Sequence, residues 1–183
     1  QADEPPVLRY TSYLLVALDG KPARVVMQSG AYATANKDYV YRDQPSYAVI
    51  GAEGQLLDEI DGTLGGQTAV TVPAQAGAYA AVEVRPGNNY CTARPDGPYA
   101  YVATAASPLS VVRGFERLYF LVPAGLTDAS ITFHAFSVGE AVRVVVYDAD
   151  GKVAAEVEED YNEPGTLTFR VPEGQAGRAW SLA

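Results

Sequence analysis

The sequence predicts an all-β protein made of two tandem antiparallel β-sandwich modules, Ig-like or jelly-roll-like, that are related by internal duplication. Short runs alternate apolar and polar residues, and helical periodicity is almost absent. Turns rich in Gly, Pro, Asp and Asn separate these runs, as expected between strands. Segments from the first half of the chain also recur in the second half, and 183 residues suffice for two small modules.

Five segments recur in the same order. The matches are Tyr13–Val16 with Tyr119–Val122 and Ala23–Met27 with Ala129–Phe133, both at an offset of 106, then Tyr47–Gln55 with Val144–Lys152 at 97, Gly66–Pro73 with Gly165–Pro172 at 99, and Gln75–Gly77 with Gln175–Gly177. The fall in offset from 106 to 97 predicts nine extra residues in the first copy, within a Tyr-rich insertion at residues 28–46. The segment Arg85–Pro98 is rich in turn residues, so we predict modules at residues 1–92 and 93–183, with Tyr99–Val102 opening the second.

One hairpin of the second module is predicted in detail. Asp150-Gly151 supplies the positive-φ position of a tight turn, so Ala141–Asp148 and Lys152–Glu159 should pair antiparallel. Pro123 and Pro172 should each end a strand, because proline donates no hydrogen bond to a sheet. Two stacked sheets would then bury the alternating apolar residues.

Charge and composition exclude several classes of partner. The net charge of −9 opposes binding to nucleic acid, and no apolar run approaches the ~20 residues of a membrane span. One Cys and one His allow no intrachain disulfide and argue against a His/Cys zinc site. We expect no cofactor. The opening Gln1–Pro6, without an initiator Met, resembles the product of signal-peptide cleavage, which predicts a secreted, extracellular or cell-surface protein.

The residues that could catalyse a reaction are few and have simpler explanations. His134 alternates with apolar residues of a predicted strand, and no nucleophile motif accompanies it. Cys91 lies in the predicted loop between the modules, where a reactive or intermolecular thiol is one alternative to an incidental residue. We therefore predict that the protein is not an enzyme. The third-ranked hypothesis is a hydrolase that uses acidic strand ends, and the carboxylates concerned are Asp58, Glu59 and Asp61 in the first copy and Glu156, Glu158, Glu159 and Asp160 in the second.

No metal site is predicted. Asp148 and Asp150 are weak calcium candidates, because their carboxylates could supply oxygen ligands. Their turn already explains them, and the spacing of a calcium loop is missing.

The strongest candidate for a binding surface is the Tyr-rich insertion with the neighbouring Asn-rich loop. Aromatic rings stack on sugar faces, and planar polar side chains read hydroxyl groups. The candidate residues are Tyr32, Tyr39, Tyr41, Arg42, Asp43, Gln44, Asn88, Asn89 and Tyr90, with Asn36, Lys37 and Asp38 in the same insertion. The alternative is that Tyr39 and Tyr41 are alternate residues of one strand whose rings pack on the protein itself. Trp180, in the last predicted strand, is assigned to the core.

The second copy also resembles a known class of module. It contains Leu118–Gly125, Val144–Lys152 and Val171–Gly177, followed by Trp180–Leu182. These segments are similar to β-sandwich accessory modules of secreted bacterial proteins, including pre-peptidase C-terminal and carbohydrate-binding-like domains. The resemblance implies a non-catalytic role in glycan contact, surface attachment or domain spacing.

Two functions follow from these observations. The first is an extracellular accessory or adhesion module that binds carbohydrate or another cell-surface partner. The alternative is a structural subunit of an extracellular fibre, sheath or surface layer. Such a subunit would form homo-oligomers or filaments through its strand edges.

Overall fold

The computed structural model describes residues 4–33, 39–112, 115, 117–135, 139, 141–160 and 163–183. The protein is all-β, with 53% of its residues in strands, and it contains one short 3₁₀ turn at Ala74–Ala76. The strands are β1 (Leu8–Arg9), β2 (Ser12–Ala17), β3 (Ala23–Gly30), β4 (Ser46–Ile50), β5 (Leu56–Asp61), β6 (Gln67–Val72), β7 (Tyr79–Arg85), β8 (Tyr90–Pro95), β9 (Tyr99–Val102), β10 (Leu118–Leu121), β11 (Asp128–Phe133), β12 (Ala141–Tyr147), β13 (Val153–Asp160), β14 (Gly165–Arg170) and β15 (Ala179–Leu182). Within the described ranges, no helix has the length and apolar character needed to cross a membrane.

The chain divides into two compact units, Gln1–Gly114 (unit 1) and Phe115–Ala183 (unit 2). This division falls after Gly114, whereas the sequence placed the module boundary after residue 92. The physical reason is strand pairing, because β8 pairs with β3 and β9 pairs with β2. Tyr99–Val102, expected to open the second module, is therefore a strand of unit 1.

Unit 1 contains two antiparallel sheets that enclose one core. The strand orders are β1-β8-β3-β6 and β5-β4-β7-β2-β9. Alternate residues of β3, including Val25 and Met27, face the core from the first sheet. Leu14 and Val16 of β2 and Tyr47 of β4 meet them from the second sheet. Alternation at period two thus places one apolar face of each sheet inward, which is a sandwich-like arrangement.

Unit 2 is smaller and has a smaller core. Its strand orders are β10-β15-β12-β13 and β11-β14. Trp180 is fully buried, stacks on Phe169 with ring centroids 5.4 Å apart, and donates its indole N–H to the Gln175 carbonyl at 3.0 Å. The core position expected for Trp180 is therefore confirmed. Val146 and Val171 complete this cluster together with Val122.

Corresponding strands of the two units occupy corresponding places. The order β2-β7-β4-β5 in unit 1 recurs as β10-β15-β12-β13 in unit 2, and β3-β6 recurs as β11-β14. The β4–β5 and β12–β13 hairpins even share the position of a bulge, which lies after Val49 in the first and after Val146 in the second. Their turns contain Gly54 and Gly151, with φ of 83° and 80°. The antiparallel pairing predicted around Asp150-Gly151 is therefore confirmed.

The register of the strands corrects two of the sequence matches. The Leu18 N–H donates to the Ala78 carbonyl, and the Val122 N–H donates to the Arg178 carbonyl at the same place in unit 2. Leu18 thus corresponds to Val122, an offset of 104 (122 minus 18) where the sequence match had 106. A slip of two residues keeps every side chain on its own face, so the apolar pattern does not reveal it. When the two units are aligned by these hydrogen bonds and, at an offset of 97, by the β4–β5 hairpin, unit 1 has seven more residues between the aligned points, where the sequence match counted nine.

Candidate functional site

The Tyr-rich segment of unit 1 connects β3 to β4 and folds back on itself. The Tyr41 N–H donates to the Tyr32 carbonyl at 2.9 Å, and Ala33 forms an antiparallel bridge with Val40. This pairing brings the ends of the segment together and fixes the positions of its tyrosines. The predicted candidates Asn36, Lys37 and Asp38 lie outside the described residues.

Three tyrosine rings form one cluster in this segment. Tyr39 contacts Tyr41 edge-to-face, with centroids 5.0 Å apart and planes at 80°, and Tyr32 lies 6.5 Å from Tyr41. Tyr39 is 59% exposed, whereas Tyr41 is half-buried. The two residues therefore do not form the flat pair of one regular strand. Tyr41 supports a ring, that of Tyr39, which projects into solvent.

An arginine that the sequence did not single out packs behind the cluster. The guanidinium carbon of Arg9 lies 4.1 Å from the centre of the Tyr32 ring and 4.9 Å from that of Tyr10. A cation over an aromatic face is attracted by the ring quadrupole, so Arg9 holds Tyr32 in place. No local pattern could reveal this contact, because Arg9 lies on β1 and Tyr32 lies in the segment between β3 and β4.

Asp43 ties the Tyr-rich segment to the turn between β7 and β8. Its carboxylate accepts hydrogen bonds from the Asn88 backbone N–H at 3.0 Å and from the Asn88 side chain at 3.1 Å. These bonds favour the charged form and lower the pKa of Asp43. The close approach also requires Gly87 (φ 64°), because a Cβ there would lie 2.6 Å from the Asp43 Cβ.

Asn89 makes the second connection and is fully buried. Its side-chain amide donates to the Asp43 carbonyl at 2.8 Å, and its oxygen accepts the Tyr32 N–H at 3.1 Å. One side chain thus links both ends of the Tyr-rich segment to the turn. Asn89 is therefore the buried residue that anchors the Tyr-rich segment.

The nine predicted site residues consequently have different roles. Tyr90 is half-buried with its ring directly over Gly30, where a Cβ would collide with it. Asp43 accepts hydrogen bonds from Asn88 and Asn89, so these three residues join the Tyr-rich segment to the turn between β7 and β8. Arg42 and Gln44 are exposed polar residues that follow Tyr39 closely in the sequence. A projecting aromatic ring with a guanidinium and an amide nearby in sequence suits a ligand that has both an apolar face and hydroxyl groups.

The carboxylates of the calcium candidates in unit 2 accept hydrogen bonds from other groups of the protein. Asp148 accepts the backbone N–H groups of Asp150 and Lys152, each at 2.9 Å. Asp150 accepts hydrogen bonds from Gln175 and Arg178, and these lower its pKa. In the part of the chain that the structure describes, no group of three or more His, Cys, Asp or Glu side chains could hold a metal ion.

The two remaining candidates for a catalytic side chain are Cys91 and His134. The Cys91 thiol is buried in the core of unit 1, 3.8 Å from the Tyr47 hydroxyl, and desolvation raises its pKa to about 11. His134 follows the end of β11 and is exposed, so it lies just outside the strand in which the sequence placed it.

The acidic strand ends lie on β5 and β13, each of which is the last strand of its sheet. Arg85 pairs with Glu59 and with Glu83, and Arg143 pairs with Glu156. Glu59 and Glu156 therefore each take part in an ion pair of the fold.

Comparison with known proteins provides no family assignment. No protein-family model matches the chain, and no curated protein is similar enough in sequence to count as a relative.

Proposed function

We propose that this chain is a non-catalytic accessory or adhesion module of a secreted protein and that unit 1 binds carbohydrate. The contact surface consists of Tyr39, Arg42 and Gln44. The observation that carries the proposal is the Tyr39 ring, which is 59% exposed yet packs edge-to-face on Tyr41. Single exposed aromatic rings are common on protein surfaces, so exposure alone does not mark a site, and the packing of Tyr39 on Tyr41 is the feature that favours binding.

The support beneath Tyr39 favours binding because it reduces the entropy lost on association. A side chain that is already held in one orientation loses less freedom when a ligand stacks on it. Tyr41 holds Tyr39, while Arg9 and Asn89 hold Tyr32 from behind. The ring is therefore held in one orientation while 59% of the residue stays exposed.

Charge narrows the class of ligand. The chain carries a net charge of −9, which repels polyanions at long range. One exposed cation, Arg42, three residues after Tyr39 does not offset that field. We therefore propose a neutral glycan, with its apolar sugar face on Tyr39 and its hydroxyl groups directed at Arg42 and Gln44.

A glycan array probed with the intact chain, followed by calorimetry on any glycan retained, tests this proposal. Tyr39→Ala should weaken binding about 5- to 150-fold, because stacking on one ring contributes on the order of 1–3 kcal/mol by analogy with other ring stacking. Tyr79→Ala is the matched control, since Tyr79 is also an exposed tyrosine of unit 1. A blank array, or equal losses in the two variants, would reject carbohydrate binding at this surface.

We further propose that the two units are copies of one ancestral module. The shared strand order, the shared bulge position and the matching hydrogen bonds of Leu18 and Val122 support this relation. The added strands β1, β8 and β9 and the Tyr-rich segment then distinguish unit 1. A crystal structure in which the core strands of the two units do not superpose would contradict it.

A second candidate function is a structural subunit that assembles through strand edges. The observation that favours it is the composition of the edge strands. β5 and β13 carry several acidic residues, whereas the edge strand β10, Leu118–Leu121, carries no charged side chain. Charged residues on an edge strand discourage pairing between molecules, so β10 lacks that protection. Light scattering at increasing concentration tests self-assembly, and a monomer throughout would count against it.

A further inference from the structure

Unit 2 contains an apolar groove between β10 and β11. Its volume is about 290 Å³. The lining includes Phe120, Val122, Leu126, Ala129, Ile131 and Phe169. Apart from Leu126, these side chains belong to the core of unit 2 or pack against it, so the groove opens the core itself to solvent.

The same place in unit 1 is closed by a strand. There β3, the counterpart of β11, pairs on one side with β6 and on the other with β8. Val25 and Met27 of β3 are 0% exposed, whereas their counterparts Ala129 and Ile131 remain partly exposed. In unit 2, β14 takes the place of β6, but no strand in the described part of the chain takes the place of β8. The groove therefore corresponds to the position of β8.

Backbone polar groups face the same opening. The Val171 N–H donates to the Thr127 carbonyl at 2.8 Å, which makes this a hydrogen-bonded pair of the β11–β14 ladder. Such pairs alternate along an antiparallel ladder, so Ala129 and Ile131 also bond to β14, whereas Ser130 and Thr132 direct their N–H and C=O groups outward. The corresponding residues of β3 lie opposite Arg94 and Thr92 of β8.

The other rim of the groove, β10, has the composition of a strand that is covered on both sides. Its counterpart β2 pairs with β7 and β9, whereas β10 pairs only with β15 among the described residues. Tyr119 and Leu121 on β10 are each 68% exposed. An uncharged, aromatic edge strand next to an open core is a site at which another chain readily adds a strand.

We propose that the groove between β10 and β11 accepts an extended strand from a second polypeptide, which pairs antiparallel to β11. The donor strand carries small apolar side chains at alternate positions, because Ala93 of β8 lies opposite Met27, the counterpart of Ile131, and Cys91 is the next core-facing residue of β8. Because β8 is itself paired with β1 and β3, a copy of this chain would have to unfold part of unit 1 to donate it. This inference rests on the second candidate function only in assuming that unit 2 pairs through a strand edge.

The probe for this site is a synthetic peptide with the sequence of residues 88–96, in which Cys91→Ala prevents disulfide formation. Amide hydrogen exchange of the full chain is followed by NMR at saturating peptide. The exchange of the Ser130 and Thr132 amides should slow at least tenfold, while Ala129 and Ile131, already bonded to β14, serve as internal references. The control peptide carries Cys91→Asp and Ala93→Asp and should leave all four amides unchanged, because charge cannot enter the apolar groove.

Each alternative result decides against the proposal in a different way. Unchanged exchange with the first peptide, or equal slowing with both peptides, overturns the strand-acceptor site. Slowing at Ser130 and Thr132 that increases with protein concentration alone shows that a second copy occupies the groove. That result overturns the proposed partner while supporting assembly through strand edges. None of these outcomes affects glycan binding by Tyr39, which is measured separately.

Discussion

Replacing Asn89 with alanine should destabilise unit 1 strongly, although Asn89 contacts only the chain's own backbone. The substitution removes the partner of the Tyr32 N–H and the partner of the Asp43 carbonyl, 3.1 and 2.8 Å away. Each backbone group left buried without a partner costs about 1–3 kcal/mol. Partial access of water to the rim of the segment reduces the sum, so we expect a loss of about 2–4 kcal/mol in the free energy of unfolding.

The single cysteine makes this loss measurable in unit 1 alone. Cys91 is fully buried and its pKa is about 11, so a thiol reagent at pH 8 should react only when unit 1 opens. When closing is faster than labelling, the rate follows the equilibrium population of the open form. A loss of 2–4 kcal/mol then raises the labelling rate about 30- to 700-fold. The single tryptophan, Trp180, lies in unit 2, and its emission maximum checks that the core of that unit is retained.

The neighbouring residue provides the matched control. Asn88 is exposed, and its side chain donates one hydrogen bond to Asp43 at 3.1 Å. Asn88→Ala should cost about 1 kcal/mol or less, because water replaces the lost donor. Asn89→Ala should also weaken glycan binding by Tyr39, since the segment loses its anchor. Similar labelling rates for both alanine variants would refute the argument that Asn89 holds the Tyr-rich segment in place.

Three further predictions concern stability. Gly30→Ala should cost about 1–3 kcal/mol, because its Cβ collides with the Tyr90 ring, and urea denaturation should show most of that cost removed in a Tyr90→Ala background. Trp180→Phe should lower the free energy of unfolding of unit 2 by about 1–3 kcal/mol, since it loses a hydrogen bond and leaves a space beside Phe169; an unchanged urea midpoint by circular dichroism would contradict this. Arg85 lowers the pKa of Glu83 by hydrogen bonding to its carboxylate, so this contribution is present above pH 4.5 and is lost as the pH falls through the lowered pKa. The acid-induced fall in thermal midpoint should therefore be smaller in Glu83→Gln.

Local features of the sequence were sufficient to predict the all-β class and one complete hairpin. Gly151, with φ of 80°, supplies the left-handed residue of a tight hairpin turn, and both partner strands alternate in polarity. The prediction succeeded because turn geometry and side-chain alternation are determined within a few residues of each other.

The module boundary depends on contacts between distant residues and was therefore misplaced. The Pro- and Gly-rich segment Arg85–Pro98 looks like a linker, yet it contains β8, which crosses to the other sheet of unit 1. Turn residues mark where the chain reverses, and they do not show whether the next strand returns to the same core. The role of Arg9 beneath Tyr32 was missed for the same reason.

The two-residue slip in the match between the two units affects how the groove between β10 and β11 is interpreted. Alternation at period two defines which face a residue occupies, so Ala23 and Val25 are equally good matches for Ala129 by pattern alone. Hydrogen bonds distinguish them, because Leu18 and Val122 donate to equivalent carbonyl groups. The corrected offset aligns Met27 with Ile131, which places Ile131 in the groove at a position that is fully covered in unit 1. With the register taken from the hydrogen bonds, the residues of β8 that lie opposite β3 indicate which side chains a strand added to β11 should carry.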